Sequence, residues 1–371
     1  MRESPRNRTG PTPCEVDARL RQAPVSLAEL RRIVPPRLRA PNAGASWRAL
    51  GRVLATSGIC LWLLSFLGAA GGPALLWEGP ALVAVWIFYG WVLVGLFALG
   101  HDCGHGAFSS RKWVNTLIGH LCMSPLGNSL VAWQITHDHH HRYTQLRGQE
   151  VDWSANLRTR ADLRSPSRRH APLVRLGYRL PLGIFIWIGW NTLRRAVDVR
   201  SMTSGEWQAW RTPLRRSNLS MFGSVVLIYG GLWMWVGFWD MLRYHGVPAA
   251  IAMLTGSFII TIQHANSQSL IYAARAWDPA RSQMASTFDV RFPRWVEYLW
   301  CNINIHVPHH VAPEIPWYHL PESARLLSAA LPGCYLESRF GVEHLRFFWR
   351  APFLRPVEGK GYFILDSAGG A

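Results

Sequence analysis

Four long stretches contain no Asp, Glu, Lys or Arg, and they limit what this chain can become more than any other feature: residues 53–77, 79–100, 217–239 and 244–274. Each is long enough to cross a hydrocarbon core of roughly 30 Å, which takes ~20 residues of helix. Gly71-Gly72-Pro73 and residues 240–247 supply the expected turns, so the four stretches read as two helical hairpins. The predicted fold class is therefore an all-α integral membrane protein.

Charge then orients the hairpins. The net charge is +17, and every basic residue except Lys112 and Lys360 is Arg. Those arginines crowd the segment before residue 53, the 101–216 loop and the C-terminal segment, whereas the two hairpin turns hold only Arg243. Basic residues accumulate on the cytoplasmic side of a membrane, so both termini are expected in the cytosol. The same charge raises nucleic acid as a partner, but the arginines flank apolar runs and form no groove-reading motif, and no nucleic-acid role is expected. The six cysteines form no CxxC pair or regular spacing, which argues against a disulfide framework or a thiolate metal site.

The first fifty residues are rich in Arg, Pro and Ala and lack the apolar core of a signal peptide, so residues 1–50 read as a loose cytosolic tail. Residues 51–345 are expected to form the membrane domain, and residues 346–371 a second cytosolic tail. Two further segments are ambiguous. Residues 113–136 are uncharged but contain Asn115, His120, Pro125, Gly127, Asn128 and Gln134, and residues 180–193 are too short to span comfortably. Both read as interfacial helices.

Histidine carries the chemistry. Of 15 histidines, eight fall into three tight groups: His101 and His105 directly after the second span; His137, His140 and His141; and His306, His309 and His310. On a helix, positions i, i+3 and i+4 share a face, so each group can aim its imidazoles at one region. Imidazole suits Zn, Cu, Fe and Ni, and eight nitrogens exceed the needs of one ion, which implies two metals. The first two groups can share a site only if residues 113–136 do not cross the bilayer.

His264, near the cytosolic end of the fourth span, is an ionisable group in the membrane and is read either as a ninth ligand or as a side chain satisfied by a backbone carbonyl. His120, His139, His170, His245, His319 and His344 read as non-ligands. Asp102 and Asp138 are candidates to accept from ligand Nδ1–H groups.

The motifs HDCGHGAF, WQITHDHHHRYT and NINIHVPHHVAPEIPWYHL resemble the three histidine boxes of the membrane fatty-acid desaturase family, in particular its cyanobacterial and plastid acyl-lipid omega-6 (delta-12) members. The resemblance begins at residues 26–35, similar to that family's pre-membrane segment, and runs through the third box. It implies that residues 51–345 are a desaturase domain with a cytosolic helical cap holding two iron ions. The implied ligands are His101, His105, His137, His140, His141, His306, His309 and His310, with His264 as the ninth. The family usually reads His-Asp-Ile-Asn before the third box, where this chain has Cys301-Asn302-Ile303-Asn304. Asn302 and Asn304 become candidates to reach iron through a water.

The resemblance further implies an O2-dependent oxidoreductase that places a cis double bond in a membrane acyl-lipid chain. No GxGxxG fingerprint or haem module accompanies the boxes, so an external electron donor is expected, with ferredoxin as the partner the plastid-type likeness points to. A hydroxylase, acetylenase or carotenoid ketolase would use the same residues. A non-catalytic metal transporter would place ionisable groups at mid-span, and the first three stretches have none.

Overall fold

The computed structural model describes residues 10–67, 75–151, 157–164, 177, 178, 180, 183, 206–266, 269–349 and 352–366. Within them the chain is mostly helical, and four helices are long and apolar enough to cross a membrane: Pro36–Phe66, Glu78–Gly104, Gln208–Val236 and Phe238–His264. Half of the second span's most apolar window is buried within the chain, against 6% for the third. The second span is thus the centre of the bundle, and the third lies at its edge with its apolar side chains facing lipid.

The break between the third and fourth spans differs from the expected one. The chain turns at Gly237, whose φ of +86° lies in a region that glycine enters without steric cost. Residues 240–247 instead continue the helix, with Asp240 and Arg243 neutralising each other one turn apart at 3.2 Å. The fourth span also ends earlier than the uncharged stretch does, because residues past His264 leave the helix and form strand β1 (Leu270–Tyr272). The proposed break at residues 71–73 and nearly all of residues 180–193 lie outside the described residues.

Residues 10–50 are not a loose tail. Helices α1 (Pro13–Gln22) and α2 (Leu27–Ile33) each begin with a capping box, in which Thr12 and Glu15, then Ser26 and Glu29, satisfy each other's backbone N–H groups. Val16, Leu30, Val34 and Leu38 are completely buried, in one apolar core with Met284, Val307 and Val311. Full burial of such a side chain is worth about 1.5–3 kcal/mol, enough in sum to order a short segment that helix propensity alone would not. Arg31 and Arg39 both pair with Glu314 just past the third histidine group, so the N-terminal segment clamps that group from outside.

The C-terminal segment is likewise built in. Strands β4 (Phe353–Val357) and β5 (Tyr362–Asp366) form a hairpin whose β5 pairs antiparallel with β1, Tyr362 opposite Tyr272. A second pair, β2 (Asp289–Arg291) and β3 (Glu337–Arg339), is parallel. These small sheets are the only departure from an all-helical plan among the described residues.

Residues 113–136 form no single helix. Helix α6 (Lys112–Met123) and helix α7 (Leu130–Arg142) are joined by a short 3-10 turn ending at Gly127, φ +70°. Neither helix reaches the length a crossing needs. Helix α6 runs back along the second span, helix α5 (Leu75–Gly104): a Cβ on Gly100 would meet Met123 and Cys122, and one on Gly119 would meet Cys103. The tip reaches far enough for His245 Nε2 to donate to the Pro125 carbonyl at 3.1 Å. The segment is a helical hairpin packed along the spans, and α7 returns its histidines to the end of α5.

Candidate metal centre

Three helix ends and one N-terminal turn converge on one point. The last turn of α5 carries His101, and His105 follows with its amide donating to the His101 carbonyl at 3.2 Å. The last turns of α7 carry His137, His140 and His141, and the fourth span contributes His264 at its final residue. The short helix α8 (Val307–Val311) opens at His306 and carries His309 and His310. Gln134 Nε2 donates to the Gly104 carbonyl at 2.8 Å, fixing α7 against the end of α5. Trp133 then stacks on His137 with ring centroids 4.4 Å apart, in a space open only because residue 104 is glycine.

The imidazoles sort into two sets. His101, His105, His137 and His309 place one nitrogen each within 4.8 Å of the others, and His140, His264, His306 and His310 do the same. His141 lies between the sets: its Nε2 is 3.1 Å from His137 Nε2, and its ring lies 4.3 Å from that of His310. Both three-histidine groups are therefore split between sets. On a helix, i+3 and i+4 diverge by ~100°, so adjacent histidines cannot aim at one ion, whereas i and i+4 can. His137 with His141, and His306 with His310 at 3.1 Å, are the i, i+4 pairs.

The spacing fits a cation at the focus of each set. His101 and His137 approach Nε2 to Nε2 at 3.2 Å, His140 and His264 at 3.2 Å, and His264 and His306 at 3.0 Å. Two nitrogens each ~2.1 Å from a shared metal are separated by ~3.0–3.4 Å, depending on geometry. His105 Nε2 and His309 Nε2 are buried without a hydrogen-bond partner, which is costly unless something electrophilic faces them. Burial, and then the neighbouring imidazoles, hold His105, His137, His141, His306, His309 and His310 well below the ordinary histidine range. They stay neutral at physiological pH, the form that binds metal.

Outside these sets, His139 donates to the Gln149 carbonyl at 2.9 Å and faces away, as expected of a non-ligand. His264 faces two ways: Nδ1 points at the Ser286 carbonyl at 3.4 Å while Nε2 points at His140 and His306. The expected supporting groups are elsewhere. Asp102 accepts the Trp317 amide at 3.0 Å and stays 3.8 Å from His101 Nδ1, beyond hydrogen-bond reach. Asp138 is exposed. Asn302, with φ +50°, donates to the Trp317 carbonyl, and Asn304 donates to Val290 O and Glu297 Oε1. Both asparagines brace the turn before the third group, with their side-chain amides bonded to protein rather than directed at the histidine sets.

The groups that do hold ligand rings were not foreseen. Both oxygens of buried Glu150 lie 2.9 Å from His140 Nδ1. Gln283 accepts from His310 Nδ1 at 2.5 Å and donates to the His141 carbonyl at 2.6 Å, linking the second set to His141. The signal available for Glu150 was its place ten residues past His140, in a stretch otherwise basic or neutral.

A model of the family described as fatty acid desaturase matches residues 78–340. An sn-1 oleoyl-lipid 12-desaturase of Arthrospira platensis is 30% identical, over 69% of this chain and 70% of that protein. One from Anabaena variabilis is 27% identical over 90% of this chain and 89% of its own length. A chloroplastic omega-6 fatty acid desaturase of Glycine max is 28% identical over 70% of this chain and 59% of that protein.

Proposed function

Because the chain belongs to the fatty acid desaturase family, we propose that it places a cis double bond in the acyl chain of a membrane glycerolipid, at the delta-12 or omega-6 position, with two irons held in its two histidine sets. The observation that carries this is the pair of four-imidazole sets, buried together at one end of a four-span bundle. In the overall reaction two adjacent methylenes each lose one hydrogen, O2 and two external electrons with two protons are consumed, and an alkene and two waters form.

His101, His105, His137 and His309 would hold one iron and His140, His264, His306 and His310 the other, with His141 beside the first set. The irons, when bound and reduced, supply the O2 activation and hydrogen removal that no amino-acid side chain can perform on an unactivated methylene. The protein's residues do the rest. Neutral imidazoles present lone pairs without a proton to displace, and Trp133 packs on His137 to hold its ring angle. A small cavity beside the metal positions is lined by His101, Asp102, His306 and His309 together with Ala98 and Ile305.

The arginines before residue 53 and across the 101–216 loop support a cytosolic face for the site and both termini. With no nucleotide-binding motif in the chain, electrons come from a separate donor, for which ferredoxin, an acidic protein, suits this basic face. The test is reconstitution of the purified chain in vesicles of oleoyl glycerolipid with ferredoxin, its reductase and NADPH under air. A linoleoyl product dependent on each component supports the assignment; a hydroxy, acetylenic or keto product would overturn desaturation while keeping the site.

A further inference from the structure

We infer that Glu150 is a positioning residue that makes the set of His140, His264, His306 and His310 the tighter of the two metal positions. This rests on the metal reading above. Glu150 is buried, and a buried carboxylate is costly unless fully bonded and compensated. Its oxygens accept from the Gln145 and Val151 amides at 3.0 and 2.8 Å and lie 2.9 Å from His140 Nδ1. With Nδ1 donating to the carboxylate, the lone pair of His140 sits on Nε2 and is directed at His264 and His310. The carboxylate thereby makes that imidazole a stronger donor and sets a negative charge one ring away from the metal position.

The loop around Glu150 is constructed for this. Gln145 is held at φ +59° and donates from Nε2 to the His264 carbonyl at 3.0 Å, so one loop grips two ligands of the same set. Tyr272 in β1 exchanges backbone bonds with the loop, donating to Gln145 O at 2.8 Å and accepting from Arg147 N at 2.9 Å. Thr144 and Gln283 add contacts to His310 Nδ1. Among the described residues the other set has no carboxylate bonded to a ligand ring, since Asp102 is engaged by Trp317 and stops 3.8 Å from His101. Among the described residues, one set is anionically supported and the other is not.

The test is graded chelation of iron from the full-length, detergent-purified chain, with the two irons followed separately by Mössbauer spectroscopy of 57Fe-loaded protein. The wild-type chain should lose its irons in two steps. In Glu150→Gln the later step should move to about 10–100-fold lower chelator, the range that loss of an outer hydrogen-bond partner produces, and the earlier step should stay in place. Only one of the two quadrupole doublets should change, and Glu150→Asp should recover part of the shift. Equal movement of both steps, or no movement, would overturn the assignment; if Glu150→Gln does not yield folded protein, Glu150→Asp is judged on the same two steps. A wild-type chain that binds no iron overturns the metal reading itself and is distinct from either outcome.

Discussion

His309 and His310 are neighbours in the chain, yet their rings stand 5.8 Å apart at 88° to each other and serve different histidine sets. Two adjacent residues thus face two different histidine sets, so their substitutions should be separable. His309→Ala and His310→Ala should each reduce iron from two toward one per chain, leaving different Mössbauer doublets behind. Identical residual spectra, or full iron in both, would contradict the partition.

Gly104 is a packing requirement. A Cβ there would lie 2.3 Å from the Trp133 ring, which in turn stacks on His137. Gly104→Ala should destabilise the chain by about 1–3 kcal/mol, the usual range for overpacking, and lower iron content by tilting His137. Thermal unfolding in detergent and iron analysis check both effects.

The N-terminal segment should behave as part of the core. Leu30 is completely buried among residues of the third histidine group's support. Leu30→Ala should cost about 2–5 kcal/mol, whereas substitution in a solvated tail would cost almost nothing. An unchanged unfolding temperature would return this segment to the status of a tail.

Acid should weaken the iron-free chain before it affects the spans. His137, His306 and His310 are held by burial well below the ordinary histidine range, while the unfolded chain titrates near ~6.5. The unfolded state therefore binds more protons as pH falls below that value, so the stability these neutral rings contribute is present above about pH 6.5 and is lost on acidification. The unfolding temperature of the iron-free chain should fall steadily from pH 7 to pH 5; a flat profile would show that the rings are exposed.

Much of this was legible because its physics is local. Uncharged length marked four spans, and i, i+4 spacing marked the histidine groups. Assignment of His140 to one set, with His141 left between the two, was hidden, because it depends on where α8 and the fourth span arrive. Glu150 escaped notice for a related reason: it lies in irregular backbone, where no periodicity points its side chain at His140. The N-terminal helices, of 10 and 7 residues, owe their order to the buried stripe of Val16 and Leu30, which the core around the third histidine group completes. The turn at Gly237 was displaced from the charged residues because Asp240 and Arg243 pair within a helix and so need no loop.

If the histidine sets serve oxidation of an acyl chain, the fatty acids of a cell that makes this chain must change. Gas chromatography–mass spectrometry of total fatty acids from a host rich in oleate, lacking dienes and co-expressing ferredoxin with its reductase, tests it most directly, beside a His141→Ala control. A dienoic acid with its new double bond at the delta-12 position is expected in the wild-type strain and none in the control. An unchanged fatty-acid profile from a chain carrying both irons would contradict it.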